Sequence, residues 1–415
     1  IRAMINIVEK GITRICRQKV CRSFPYGKAR FCPSAGAEKR DHRRIAMSFT
    51  DEEAIWDTIG QDGYALEHAK APLRRKQTGS YYTDLALAMA MTEELVESLP
   101  AEKKSALFDC TFLEPCVGTG NFVFAYLRVC QRLGYTADEY RTLINNIYVC
   151  DIDRAALAVY RKNLTLFAQR AFGIVLDDRY FATHIGGALL SDIDAQPTRY
   201  IPITDVFPAE VVRSGFDLVV TDPPYKNLKA ERSHYPSVDE HQRDKAKYAE
   251  IGQWASKVFP NASTGTINLY KLFVEEIVRR YLAPDGSCSL LIPVTILSDR
   301  SCAKLRALLL STAALKTIRI IAENDRCVDA SQALCTLLLR KGKNGKDPCH
   351  RSAKRRHPSR RAYRRGGNGQ RRHRRRDIPF DEGTARHPAA DAEASDARLR
   401  RLYQKPSGRT GYHAQ

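Results

Sequence analysis

The tetrapeptide Asp222-Pro223-Pro224-Tyr225 places hydrogen-bond acceptors beside a flat aromatic ring on a stiff stretch of backbone. Proline holds φ near roughly −65° and has no N–H, so the carbonyls and the Asp222 side chain can point outward as acceptors. Such a pair beside Tyr225 suits an exocyclic amine on a planar base, gripped through its N–H groups and by stacking. The apolar run Phe216 to Val220 leads into it and reads as a strand covered on both faces. Taken alone, the four residues also fit, less well, an ordinary proline turn after a strand.

A second constellation lies upstream, in Phe112-Leu113-Glu114-Pro115-Cys116-Val117-Gly118-Thr119-Gly120-Asn121-Phe122. It reads as strand, glycine loop and helix, with Phe122, Ala125, Tyr126, Val129 and Leu133 at helical spacing. Gly118 and Gly120 let backbone approach a ligand closely, and the helix that follows begins with unpaired N–H groups. The third glycine of the dinucleotide fingerprint is missing, because Asn121, Phe122 and Val123 follow Gly120. A structural turn remains open as the alternative. A further strand, Asn146 to Cys150, ends in Asp151-Ile152-Asp153 before a helical stretch, Arg154 to Arg170. Asp151, at the strand tip, is placed to accept ribose hydroxyls, while Asp153 is placed to cap the helix.

These groups need a sheet to bring them together. Strands are expected near residues 107–113, 147–151, 182–186, 216–221 and 287–293, separated by helices, which implies an α/β fold with a mostly parallel sheet. Lys316 to Ile321 and Ala333 to Leu339 are expected as an antiparallel pair closing it. The polar segment Lys226 to Ser263 reads as a long loop able to close over a base.

In this order and spacing the motifs resemble the S-adenosylmethionine-dependent, adenine-specific DNA methyltransferases of restriction-modification systems, in the arrangement where the cofactor motif precedes the catalytic tetrapeptide. Gln77 to Thr83 looks like the family's amino-terminal cofactor segment, and Asn268 to Phe273 like the helix after the catalytic loop. Lys226 to Tyr235 looks like the branch associated with type IIS enzymes. The resemblance covers roughly residues 50–340.

It implies a Rossmann-like class I methyltransferase fold, a mostly parallel seven-stranded sheet with a terminal antiparallel strand. Asp222 and the Pro223 carbonyl would hold the amine of a flipped adenine in double-stranded DNA, with Tyr225 stacked on its ring, and Pro224 is carried over with them as part of the catalytic motif. Glu114, Pro115, Gly118 and Gly120 would cradle the methionine end of S-adenosyl-L-methionine, Asp151 its ribose, and Tyr82 and Thr83 the far rim. Phe273 is carried over as a further cofactor contact. Where the family has Asp or Asn near the cofactor's adenine, this chain has Gly187, and nearby Asp192 is the substitute candidate. The resemblance also implies a separate restriction endonuclease and a cytoplasmic, bacterial setting. Two other readings stay open: a methyltransferase acting on a protein glutamine or an RNA base, and an inactive remnant that binds cofactor.

The chain carries a formal charge of +20, which by itself resembles a nucleic-acid binder. That charge is not where the motifs are. Residues 1–46 are net +9 and residues 341–415 net +15, leaving −4 for residues 47–340. Three segments are therefore expected: a basic extension over 1–46, a methyltransferase domain over 47–345, and an Arg-rich tail over 346–415 that cannot bury a core. Met47 reads as a natural start, and the change of texture near Lys346 reads either as a basic tail or as a departure from the native reading frame. Twelve cysteines without a C-x-x-C pair read as reduced thiols, and neither they nor the ten histidines show metal-ligand spacing. No run of eighteen apolar residues is present to span a membrane.

Overall fold

A computed structural model describes residues 49–69, 83–193, 199–322 and 332–342. The proposed extension over 1–46, the tail over 346–415 and Tyr82 lie outside the described residues. Seven strands form one sheet: β1 (Phe112–Glu114), β2 (Ile147–Cys150), β3 (Ile185–Gly186), β4 (Phe216–Thr221), β5 (Leu282–Pro293), β6 (Ala313–Ile321) and β7 (Leu334–Lys341). Their order is β3-β2-β1-β4-β5-β7-β6. β1 to β5 pair in parallel, and β7, last in the chain, inserts antiparallel between β5 and β6.

Among the described residues, helices of seven or more residues are α1 (Phe49–Ala69), α2 (Leu85–Glu97), α3 (Asn121–Gln131), α4 (Ala137–Asn145), α5 (Arg154–Phe172), α6 (Asp178–His184), α7 (Val238–Val258), α8 (Leu269–Glu276) and α9 (Ala303–Thr312). Their local signals are plain. A capping box closes the start of α4, where Thr136 and Glu139 each bind the other's backbone N–H. Asp153 caps α5 by accepting from Ala155 and Ala156, as its position before Arg154 implied.

Every residue of β1 and β2 and the first six of β7 are buried, and most of them are apolar, as expected for strands covered on both faces. Large side chains fill the space between: Phe112 stacks on Tyr126 at 4.5 Å, and both are fully buried. The Tyr126 hydroxyl still finds a partner, donating to the Leu107 carbonyl at 3.0 Å. No helix among the described residues is long and apolar enough to cross a membrane.

Three expectations need correction. Leu107–Asp109 is a short 3₁₀ turn, so β1 starts only at Phe112. Side chains take the place of a ladder there, with Tyr126 on the Leu107 carbonyl and Asn146 on that of Phe108. Residues 182–184 end α6 and leave β3 only two residues long. The supposed loop Lys226 to Ser263 holds the 21-residue helix α7, capped by Ser237 with Asp239 and Glu240 in its first turn. Only Ile251 and Ala255 of α7 are buried, so its apolar stripe is too thin to stand out from the polar background.

Candidate active site

The strand order reverses between β1 and β4, and in an open α/β sheet the crevice at that point, beyond the carboxyl ends of the strands, is the natural ligand site. Glu114 ends β1, Asp151 follows β2, and Asp222 follows β4. Three motifs far apart in sequence therefore converge on one crevice.

The glycine loop is held from two sides. Gly118 and Gly120 have φ of +53° and +98°. The Val117 N–H donates to the Cys150 carbonyl at 2.9 Å, and the Gly118 N–H donates to Asp151 Oδ2 at 2.7 Å. Asp151 Oδ1 accepts from the Asp153 N–H at 2.8 Å. Asp151 thus locks the tip of β2 to the loop, whatever else its remaining lone pairs contact.

Glu114 is almost fully buried, and Oε2 has no partner among the described residues. Burial, then the nearby Asp151, pushes its carboxyl well above the ordinary carboxylate range, and the Val123 N–H at the start of α3 opposes this. Asn121, the first residue of α3, donates through Nδ2 to the Thr83 carbonyl at 2.7 Å and leaves its buried Oδ1 unpaired. Buried polar atoms seldom go unpaired, so Glu114 Oε2 and Asn121 Oδ1 are suited to a polar ligand in the crevice. Open space lies where a Cβ would stand on Gly118 and on Gly187. The residues present therefore fit a bound nucleotide-like group.

The loop Asp222 to Tyr225 is equally well anchored. Asp222 Oδ2 accepts from the Thr83 hydroxyl at 2.8 Å. Desolvation raises its pKa to about 7, opposed by the nearby Tyr225 hydroxyl and by the Thr83 hydrogen bond, which favour the ionised form. Pro223 is buried and Pro224 half-buried. Tyr225 is buried, with its hydroxyl donating to the Leu291 carbonyl of β5 at 2.9 Å and its ring edge-on to Tyr270 of α8 at 6.4 Å.

Beyond Tyr225 the chain forms a clamp with the start of α8. The Leu228 N–H donates to the Ile267 carbonyl at 2.8 Å, the Leu269 N–H to that of Lys226 at 2.9 Å, and Asn268 Nδ2 to Asn227 Oδ1 at 2.9 Å. Asn268 also caps α8 through the Tyr270 N–H. Removing its side chain in Asn268→Ala takes away both a cap and the clamp's side-chain bond. It is expected to cost about 1–2 kcal/mol, read as a lower urea midpoint with an unchanged slope.

The remaining candidates are more dispersed. Asp192 pairs with Arg199 at 2.6 Å on the segment after β3. Phe273 is fully buried in the core on α8. Lys226, Lys229 and Arg232 lie just past Tyr225, and Arg232 donates to the Tyr235 carbonyl at 2.6 Å. A cavity of about 400 Å³ opens among Asn145, Tyr148, Tyr180 and His184, at the amino ends of β2 and β3 and thus at the opposite end of the sheet from Asp222. The sequence reading placed Thr83 on a far rim, yet its hydroxyl meets Asp222 directly. It passed over Asn121 as a functional group. The only local signal for Asn121 is a polar residue opening a helix whose next six residues are apolar or aromatic, directly after the glycine loop.

Sheet order and crevice together define the fold of the class I methyltransferases. Within it, residues 145–327 match the model of the Eco57I restriction-modification methylase family. No curated protein sequence matches the chain. Among solved structures, the DrdV–DNA complex is similar with a TM-score of 0.50 and 14% identity, over 72% of this chain and 30% of that one. A Listeria monocytogenes protein described as a class I S-adenosylmethionine-dependent methyltransferase is similar with a TM-score of 0.42 and 15% identity, over 71% of this chain and 69% of that one. The chain thus spans less than a third of the length of the DrdV protein.

Proposed function

We propose that this chain is a DNA methyltransferase of a restriction-modification system, acting on the N6 amine of adenine flipped out of double-stranded DNA, with cleavage assigned to a separate endonuclease. The observation that carries the reading is the bond between Thr83 and Asp222, which joins the catalytic loop to the residues around the glycine loop. S-adenosyl-L-methionine, when bound, supplies a sulfonium-activated methyl group. Glu114, Gly118 and Asn121 are the residues suited to its methionine end, and Asp151 to its ribose. Tyr82, Asp192 and Phe273 are weaker candidates that the reading keeps for its outer contacts.

The work of the protein is mostly alignment. Displacement at a methyl carbon requires nitrogen, carbon and sulfur in line, and holding them so removes much of the entropic barrier. Asp222 Oδ1 and the Pro223 carbonyl accept from the amine, raising electron density on nitrogen as it attacks. Tyr225 offers a face to the base. The lost proton leaves after the new bond forms, so no strong base is needed.

Asp222 accepts best when ionised. With its pKa raised to about 7, kcat/KM should fall about tenfold per pH unit below that value and level off above it. In Asp222→Asn the amide oxygen remains an acceptor at all pH values, so the fall should disappear. A pH–rate series on both proteins checks this.

The reading is tested by transfer of radiolabelled methyl from S-adenosyl-L-methionine to unmethylated bacterial DNA. Label recovered in N6-methyladenine supports it. Label in cytosine, or in added RNA or protein but not in DNA, overturns it. Cofactor binding without transfer to any acceptor leaves the inactive remnant as the better account.

A further inference from the structure

We infer that Thr83 is a positioning residue that decides which oxygen of Asp222 faces the substrate amine, and that Asn121 fixes Thr83 to the end of the glycine loop. The inference deepens the proposed function and rests on it for the identity of the amine, though not for the contact itself.

The geometry is a short relay. Asn121 opens α3 immediately after Gly120, and its Nδ2 holds the Thr83 carbonyl at 2.7 Å. The hydroxyl of the same threonine donates to Asp222 Oδ2 at 2.8 Å. Thr83 is buried and so is Asn121, so neither bond competes much with water, and the bond to Asp222 is charge-assisted when the carboxylate is ionised and then the stronger of the two. A carboxylate attached by one rotatable bond would otherwise present either oxygen, or turn away. With Oδ2 held by Thr83 and the single proton of the Tyr225 hydroxyl directed to the Leu291 carbonyl, Oδ1 is the oxygen left to accept from the amine.

A second consequence concerns coupling. The loop that would carry cofactor and the carboxylate that would hold the base hang from opposite ends of one residue. Displacement of α3's first turn is passed through Asn121 to Thr83 and so to Asp222. Hydrogen-bond chemistry also separates the substitutions that the relay tolerates from those it does not. Serine keeps the donor, valine keeps the shape and removes it, and asparagine at 222 keeps the bond with its direction reversed, its amide donating to the threonine oxygen.

The test compares Thr83→Val, Thr83→Ser and the native chain in two independent measurements. In methyl transfer to unmethylated bacterial DNA, Thr83→Val should lower kcat about tenfold or more with KM for S-adenosyl-L-methionine within about twofold, and Thr83→Ser should restore most of it. In carboxyl ¹³C titration of aspartate-labelled protein without cofactor, Thr83→Val should move the Asp222 midpoint upward, because a bond favouring the ionised form is gone. Glu114 and Asp151 face the same crevice, so the Asp222 resonance is assigned by its loss in Asp222→Asn. A native midpoint in Thr83→Val overturns the relay, as does a native kcat in an active enzyme. Failure of the native chain to methylate DNA at all counts against the proposed function alone, and the titration still decides the contact.

Discussion

Replacing Asp222 with alanine should abolish nearly all methyl transfer, lowering kcat about a thousandfold while the affinity for S-adenosyl-L-methionine stays within about twofold. The hydrogen bonds that tie Asp222 toward the glycine loop run through Thr83 and Asn121, while Gly118 is held by Asp151, so the shape of that loop survives the loss of Asp222. What disappears is the acceptor that strengthens as charge develops on the amine, and removing one such group commonly costs a factor of about 10² to 10³. Single-turnover transfer together with equilibrium dialysis of the cofactor separates the two quantities. Equal losses in both would mean that Asp222 serves the cofactor and not the base.

Asp222 also leaves a signature in stability. Its folded pKa of about 7 lies above the ordinary value of 3.8, so the folded protein resists ionising it. Below about pH 4 the group is neutral in both folded and unfolded states and costs nothing. Between the two values the unfolded chain releases the proton first, and above about 7 the full cost is present. Asp222→Asn should therefore melt higher than the native protein at pH 8, with the difference shrinking as pH falls through 7 toward 4. Strain of this kind is expected where a group is kept for chemistry and not for packing.

The second large effect is expected in the glycine loop. A methyl group on Gly120 would stand 2.6 Å from the Tyr160 ring and 2.9 Å from that of Phe124, and both rings are fully buried. The residue also has φ of +98°, where a side chain is strained. With neither ring able to yield, the loop must move, and Gly120→Ala should cost about 3 kcal/mol of stability and about a hundredfold in cofactor affinity. Gly118→Ala is the contrasting case. Its φ is also positive, but nothing lies within 4 Å of the added carbon, which would occupy the crevice itself. It should lose cofactor affinity while unfolding within about 1–2 kcal/mol of the native protein. Urea unfolding and cofactor titration on both variants test the distinction.

Legibility from the sequence followed the range of the forces involved. The strand Phe216–Thr221 was readable because burial demands apolar side chains at Phe216 and from Leu218 to Val220, and the α5 cap because Asp153 satisfies backbone only two and three residues away. Leu107–Asp109 misled because its apolar residues are buried in a turn whose carbonyls are satisfied by Tyr126 and Asn146 from elsewhere. The helix α7 was hidden because a mostly exposed helix needs little apolar surface to persist.

The amino-acid sequence by itself determined the alternation of strands and helices, the glycine loop, the acceptor loop after β4 and the acidic residue after β2. Each is a local matter of backbone freedom, apolar periodicity and side-chain chemistry. Only the tertiary structure decided that β7 inserts between β5 and β6, and that Thr83, Asn121 and Asp222 form one chain of contacts. Those contacts span 38 and 139 residues of sequence, and no local propensity encodes which distant donor will be delivered to a given carboxylate. That choice belongs to the packing of the sheet and its helices, which bring the ends of β1, β2 and β4 to a common edge.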